Sequence, residues 1–261
     1  VMVLAMTVAL LSNNFAMRVR ILFAVAAVGG LVGVLAALSR SSFVVLLCLL
    51  PLGWVAREPA IRKKIQIVLL SAVVLGGVAV ATSPLLRDKL RITEAQVDIQ
   101  QIAQGNYMSS LGARAAMWKT AWLIFETHPI LGIGSGRFEE EITHRVEVGE
   151  IPPTVIYNQP HSDILHALSS GGVLKLAAYL GILIAPFVFF FQQFQLVKGQ
   201  PQHYLMPVLG MQVVAAYFLT GLTNSNFDLQ IYCITYAVLV CVLAKLCVRS
   251  TQAGHPGSEH Q

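Results

Sequence analysis

The sequence predicts an all-α polytopic membrane protein built around one large polar loop. Three observations carry this expectation. Hydrophobic residues make up 56% of the 261 and charged residues only 12%, about half the charge of an ordinary soluble domain. Too few polar side chains remain to cover a soluble core of this length. The apolar residues gather into runs on the scale of a bilayer crossing, where only a helix or a closed barrel satisfies its own backbone. Finally, 16 of the 31 charged residues fall between positions 87 and 150, in one segment. The net charge of +5 does not form a basic stripe with interleaved aromatics, and both signs mix in the loop, so nucleic acid is excluded as a partner. Cys48, Cys233, Cys241 and Cys247 all lie in apolar runs without CxxC spacing, which argues against a disulfide framework or a zinc site.

The chain opens inside an apolar run, 1–11, with no basic segment and cleavage site ahead of it, so a fragment of a longer protein is expected. Apolar runs at 21–38, 43–56 and 65–81 come next, the second of them short and containing Pro51. After the loop come 173–196, 205–222 and 229–248. A crossing helix needs about 20 residues, so 43–56 must borrow flanking serines or tilt. Arg18 and Arg20, then Arg57, Arg62, Lys63 and Lys64, then Lys198, then Arg249 occupy alternate connections. The positive-inside rule puts these in the cytoplasm. The turn at Ser39-Arg40, the large loop and the 223–228 connection then face outward. The expected divisions are N-terminal transmembrane helices over 1–82, a large loop over 83–170, C-terminal transmembrane helices over 171–248 and a cytoplasmic tail over 249–261.

Within the loop, 83–105 mixes charge with spaced aliphatics and predicts short surface helices. Residues 112–127 read as a helix on which Arg114, Trp118, Trp122 and Phe125 share one face. An aromatic face of this kind suits a membrane–water interface, which accounts for the aromatics but not for Arg114 heading the same stripe. Pro129 ends the helix, and Gly132, Gly134 and Gly136 come after it. Their spacing is not a dinucleotide fingerprint, and no strand precedes them. Glu139, Glu140 and Glu141 read as a solvated helix start. Pro152 and Pro153 open an extended stretch that leads to Asn158-Gln159-Pro160-His161-Ser162-Asp163.

Three segments resemble the O-antigen ligase and polymerase superfamily of bacterial envelope glycosyltransferases. They are Leu38-Ser39-Arg40-Ser41, then Arg114-Ala115-Ala116-Met117-Trp118 continuing to His128-Pro129-Ile130-Leu131-Gly132-Ile133-Gly134, and His161-Ser162-Asp163-Ile164-Leu165 continuing to Gly171-Gly172. The middle segment is the most specific. Many members carry asparagine after the histidine, where this chain has Ser162. The resemblance implies a GT-C-like helical bundle in the bacterial inner membrane, with the large loop in the periplasm. It implies metal-independent, inverting transfer of a glycan from undecaprenyl diphosphate to a sugar hydroxyl of lipid A–core, with no cofactor. By motif, the diphosphate-binding roles fall on Arg40 and Arg114, and activation of the acceptor falls on His161.

The residue chemistry fits those roles. A diphosphate leaves well when its developing charge is met, and arginine supplies a planar fork of donors with a permanent charge. Such donors act most strongly at a low-dielectric boundary. Arg40 has a second reading, snorkelling to outer headgroups. An acceptor hydroxyl loses a proton as it attacks, and histidine titrates in the right range to take it. Asp163 is a candidate for orienting an imidazole. Lys175 either reaches the diphosphate or snorkels. His166 reads as an inner contact and His128 as structural. No carboxylate pair flanks a bond in glycosidase fashion, and no ligand cluster calls for a metal. The alternatives are an O-antigen polymerase, a protein O-oligosaccharyltransferase with the same donor and, from another class, a transporter. The last would place charges or broken helices near the bilayer midplane.

Overall fold

A computed structural model describes residues 92–200 and 203–254, with isolated positions between 16 and 29 and at 82–84. Arg40, Cys48 and almost all of the apolar runs before residue 82 lie outside the described residues. The elements are α1 (Ile92–Ala103), α2 (Ser110–Thr127), α3 (Phe138–Glu147), α4 (Asp163–Leu196), α5 (Leu205–Gly221), a 3-10 turn (Asn226–Asp228) and α6 (Gln230–Gly254). Among the described residues every regular element is helical. The one extended pairing among them is an isolated parallel bridge between Tyr107 and Thr154.

Contacts divide the chain into two compact units. The loop unit comprises Ile67–Gly181 and Gly221–Leu229. Its core forms where α2 meets α3. On α2, Ala113, Ala116, Met117, Thr120, Ala121 and Ile124 recur every three or four residues and are buried. Met117, Ala121 and Ile124 close against Phe138 and Ile142 of α3, with Ile133, Ile156 and Leu165 packed around them. The opposite face of α2 leaves Arg114, Trp118 and Trp122 exposed. The N-terminus of α2 is fixed by Ser109, whose side-chain oxygen accepts the Gly112 N–H at 3.1 Å, satisfying one orphan donor. Gly112 itself lies against the Tyr107 backbone, which a Cβ would meet at 2.7 Å.

The 173–196 expectation is revised by the structure. Helix α4 begins ten residues earlier, at Asp163, and is broken at Gly172 (φ 60°, ψ −154°). That region of backbone space belongs essentially to glycine. The break frees backbone groups, and the glycine-rich turn after α2 takes them up. Ile133 N–H donates to Ser169 O at 2.9 Å, Gly134 N–H to Ser170 O at 3.0 Å, and Val173 N–H to Pro129 O at 2.8 Å. Gly132 (φ 58°) and Gly172 make this approach possible. A Cβ on Gly132 would meet the 169–171 backbone at 2.5 Å, and one on Gly172 would run into the Pro129 and Ile130 carbonyls.

The second unit includes Ile182–Thr220 and Gln230–Gln261. Phe190 and Phe194 of α4 pack with Val208 and Met211 of α5 and Cys247 of α6. Gly210 sits directly under the Phe190 ring, the close approach that small residues allow between membrane helices. The Tyr236 hydroxyl donates to Ile182 O at 2.8 Å. Cys241 is an exposed free thiol, and Cys247 is buried.

Two helices among the described residues are long and apolar enough to cross a membrane: Asp163–Leu196, with mean hydropathy 2.2, and Gln230–Ser250, with 2.3. Only 17% and 11% of their apolar windows are buried. A core helix of a soluble protein would be mostly covered, and these two are not. Leu205–Gly221 is a shorter apolar helix.

Candidate functional site

The loop unit brings together two residues 47 positions apart. Arg114 stands on the exposed face of α2, in its second turn. His161 lies in the irregular segment leading into α4. The two are close enough for the guanidinium to disfavour a second positive charge on the imidazole. Burial acts first and in the same direction, and together they hold His161 below the usual histidine range. Both effects penalise the charged form. The ring is therefore neutral at neutral pH, with a nitrogen lone pair free to accept a proton.

Local structure presents this imidazole. Pro160 is fully buried and Ser162 nearly so. The Ser162 carbonyl accepts the His166 N–H at 2.8 Å, so the α4 hydrogen-bond ladder starts directly after His161. His161 has φ 50°, left-handed backbone that few non-glycine residues adopt. Its ring meets Tyr157 edge-on, with centroids 5.4 Å apart. Trp118, one turn beyond Arg114 on α2, donates its indole N–H to Pro160 O at 2.9 Å.

Asp163 and Lys175 occupy a different part of the unit. The Asp163 Oδ1 accepts the Phe227 N–H at 3.1 Å, while Oδ2 is buried without a hydrogen-bond partner. One helical turn on, His166 Nε2 lies 3.4 Å from Asp228 Oδ1. The first turn of α4 thus grips the 226–228 segment at two points. The imidazole that pairs with a carboxylate here is His166, and the carboxylate is Asp228. Lys175 folds back along its helix. Its Nζ lies 2.7 Å from Ser170 Oγ, 3.3 Å from Ser135 Oγ and 3.4 Å from His166 Nε2. Its ammonium therefore rests at the glycine-rich turn. Among the described residues, no three His, Cys, Asp or Glu side chains gather as metal ligands. Arg40 lies outside the described residues.

Sequence reasoning did not find Asp228 or the Trp118 bond. Asp228 had a signal: it is an isolated carboxylate directly before an apolar run, a costly place for an idle charge. The Trp118 bond had none, because a hydrogen bond across 42 residues leaves no local pattern.

Residues 23–180 match the O-antigen ligase family. The chain belongs to that family. The match takes in Arg40, Arg114, His161, Asp163 and Lys175, while Asp228 lies beyond it. The chain is also 29% identical over 132 residues to an uncharacterized protein of Haemophilus influenzae. That stretch covers 50% of this chain and 33% of the relative, so the chain spans about a third of the length of the curated relative it matches.

Proposed function

We propose that this O-antigen ligase family protein transfers O-antigen glycan from undecaprenyl diphosphate to a sugar hydroxyl of lipid A–core, at the periplasmic face of the bacterial inner membrane. His161 takes the proton from the attacking hydroxyl. Arg114, with Arg40, meets the charge that develops on the departing diphosphate. The hydroxyl oxygen forms the new bond at the anomeric carbon from the face opposite the leaving group, so the configuration inverts. The carrier departs as its diphosphate. No metal is required, because the arginines supply the fixed positive charge. What supports this reading most is that His161, at the entry to α4, and Arg114, on the exposed face of α2, belong to one compact unit, where burial and the Arg114 charge both lower the His161 pKa. Base and diphosphate clamp then meet on one polar unit directly before a span.

The test is transfer by the full-length purified protein from an undecaprenyl-diphosphate glycan to lipid A–core in the presence of EDTA. Arg40→Ala, Arg114→Ala and His161→Ala are each expected to abolish transfer while still inserting into membranes. Full activity in His161→Ala would remove the general base from the mechanism, and a strict metal requirement would remove the arginine-only account. In cells, loss of a ligase leaves bare core with glycan accumulating on the carrier. Loss of a polymerase leaves core capped by a single repeat unit.

A further inference from the structure

The segment carrying His161 is hydrogen-bonded to α2 through the Trp118 side chain. We propose that the Trp118 indole N–H is the strut that fixes His161 in its left-handed conformation beside Arg114, making Trp118 a positioning residue for the proton transfer. A left-handed non-glycine residue persists only where its surroundings over-determine it. Together φ and ψ at His161 set the rotation between its two flanking peptide planes. On the C-terminal side the chain is anchored one residue further on, where the Ser162 carbonyl accepts the His166 N–H at the start of α4. The plane on the N-terminal side carries the Pro160 carbonyl, and that carbonyl accepts the Trp118 N–H at 2.9 Å. With the preceding plane held by Trp118 and the chain just after His161 held by α4, the direction in which the imidazole leaves the backbone is restricted.

The strut and the guanidinium also share a rail. Arg114 is four residues before Trp118 on α2, about 6 Å along the axis at 1.5 Å per residue. Whatever fixes Pro160 against Trp118 therefore fixes His161 relative to Arg114. Trp122 supplies the internal contrast. It belongs to the same stripe, but its N–H goes to Glu126 on its own helix, at 2.7 Å, and ties nothing across the unit. The strut stands on geometry alone; the consequence for catalysis rests on the function proposed above.

The experiment replaces Trp118 in the full-length protein with 3-benzothienylalanine, which keeps the ring shape and puts sulfur where the N–H was. Trp118→Phe is a second variant, and Trp122 receives the same benzothienyl replacement as a control. Two readouts are taken in nanodiscs: the NMR titration of the His161 imidazole, assigned with His161→Gln, and the rate of glycan transfer. The groups facing His161 are the Arg114 guanidinium and the Tyr157 ring; burial and the Arg114 charge lower its pKa, and release of the segment weakens both. The Trp118 variants are expected to move the His161 midpoint up toward the ordinary histidine value. They are expected to lower kcat by about 10- to 100-fold, the scale of an ångström misplacement, with KM for the donor little changed. The Trp122 variant is expected to match wild type in both. An unmoved titration in the benzothienyl variant would overturn the strut, as would equal effects at Trp122. A moved titration with undiminished transfer would overturn the positioning role. If the wild-type protein transfers no glycan, the function reading fails and the titration alone decides the strut.

Discussion

Replacing Gly172 with alanine sets the backbone of the α4 break against the turn docked upon it. The residue sits at φ 60°, ψ −154°, and a Cβ there would run into the Pro129 and Ile130 carbonyls. Two responses are open. If the turn stays docked, the strained backbone costs about 1–3 kcal/mol, with the collision added. If it lifts away, three backbone hydrogen bonds go: Ile133 to Ser169, Gly134 to Ser170 and Val173 to Pro129. At about 0.5–1.5 kcal/mol net for each, undocking costs roughly 1.5–4.5 kcal/mol. That is about a 10- to 1,000-fold rise in the open population, at tenfold per 1.4 kcal/mol. Amide hydrogen exchange reads this directly, since exchange through local opening tracks that population. The Ile133, Gly134 and Val173 amides are expected to lose protection by that factor. Amides in the middle of α2 are expected to keep theirs. Gly132→Ala attacks the same junction from the other side, so the double variant is expected to cost less than the sum of the two. Unchanged protection at these three amides in Gly172→Ala would refute the docking argument.

The loop unit yields three further expected outcomes. Ile142→Ala removes a fully buried side chain between α2 and α3 and is expected to cost about 2–5 kcal/mol, seen as a lower unfolding midpoint; a loss under about 1 kcal/mol would mean that the α2–α3 junction is not the core. Ser109→Ala removes the side-chain cap on Gly112 N–H and is expected to destabilise by about 0.5–2 kcal/mol, with exchange rising first in the opening turn of α2. The lowered pKa of His161 means that the unfolded chain binds a proton more readily at this site than the folded one, so stability falls as pH drops below about 6.5, the ordinary histidine value. Wild type is therefore expected to lose more thermal stability between about pH 7.5 and pH 5 than His161→Gln does, and equal losses would contradict a depressed pKa.

Much of the helical layout was legible because its causes are local. The α2 helix could be read from the spacing of its apolar residues and from Pro129, and it differs from the expected 112–127 only by two residues at its start. Helices α5 and α6 fall almost where the apolar runs put them, since lipid demands little beyond length and apolarity. The start of α4 was not legible. Residues 163–171 are too polar to read as span, and what makes them helical and then breaks them is a turn some forty residues upstream. Gly132 and Gly172 were visible as punctuation, but each is required by the other's backbone. The candidate site divides in the same way. Arg114 and His161 stood out through residue type and motif. The Asp228 partner of His166, the Ser170 and Ser135 partners of Lys175 and the Trp118 bond are tertiary pairings with no periodicity to announce them.

The break at Gly172 also separates two angular conventions. An unbroken helix turns about 100° per residue, so the face shown by Asp163 and His166 would dictate the face shown by every later residue. Gly172 resets that count. The segment before it keeps Asp163 and His166 trained on the 226–228 segment, and the segment after it starts a new count that brings Lys175 back to Ser170 and Ser135 and Tyr179 onto Phe227. A one-residue insertion after Val173 would therefore turn Lys175 and Tyr179 off these partners while leaving Asp163 and His166 in place. A change of register beyond the break thus reaches the loop unit through Lys175 and Tyr179, and not through Asp163 or His166.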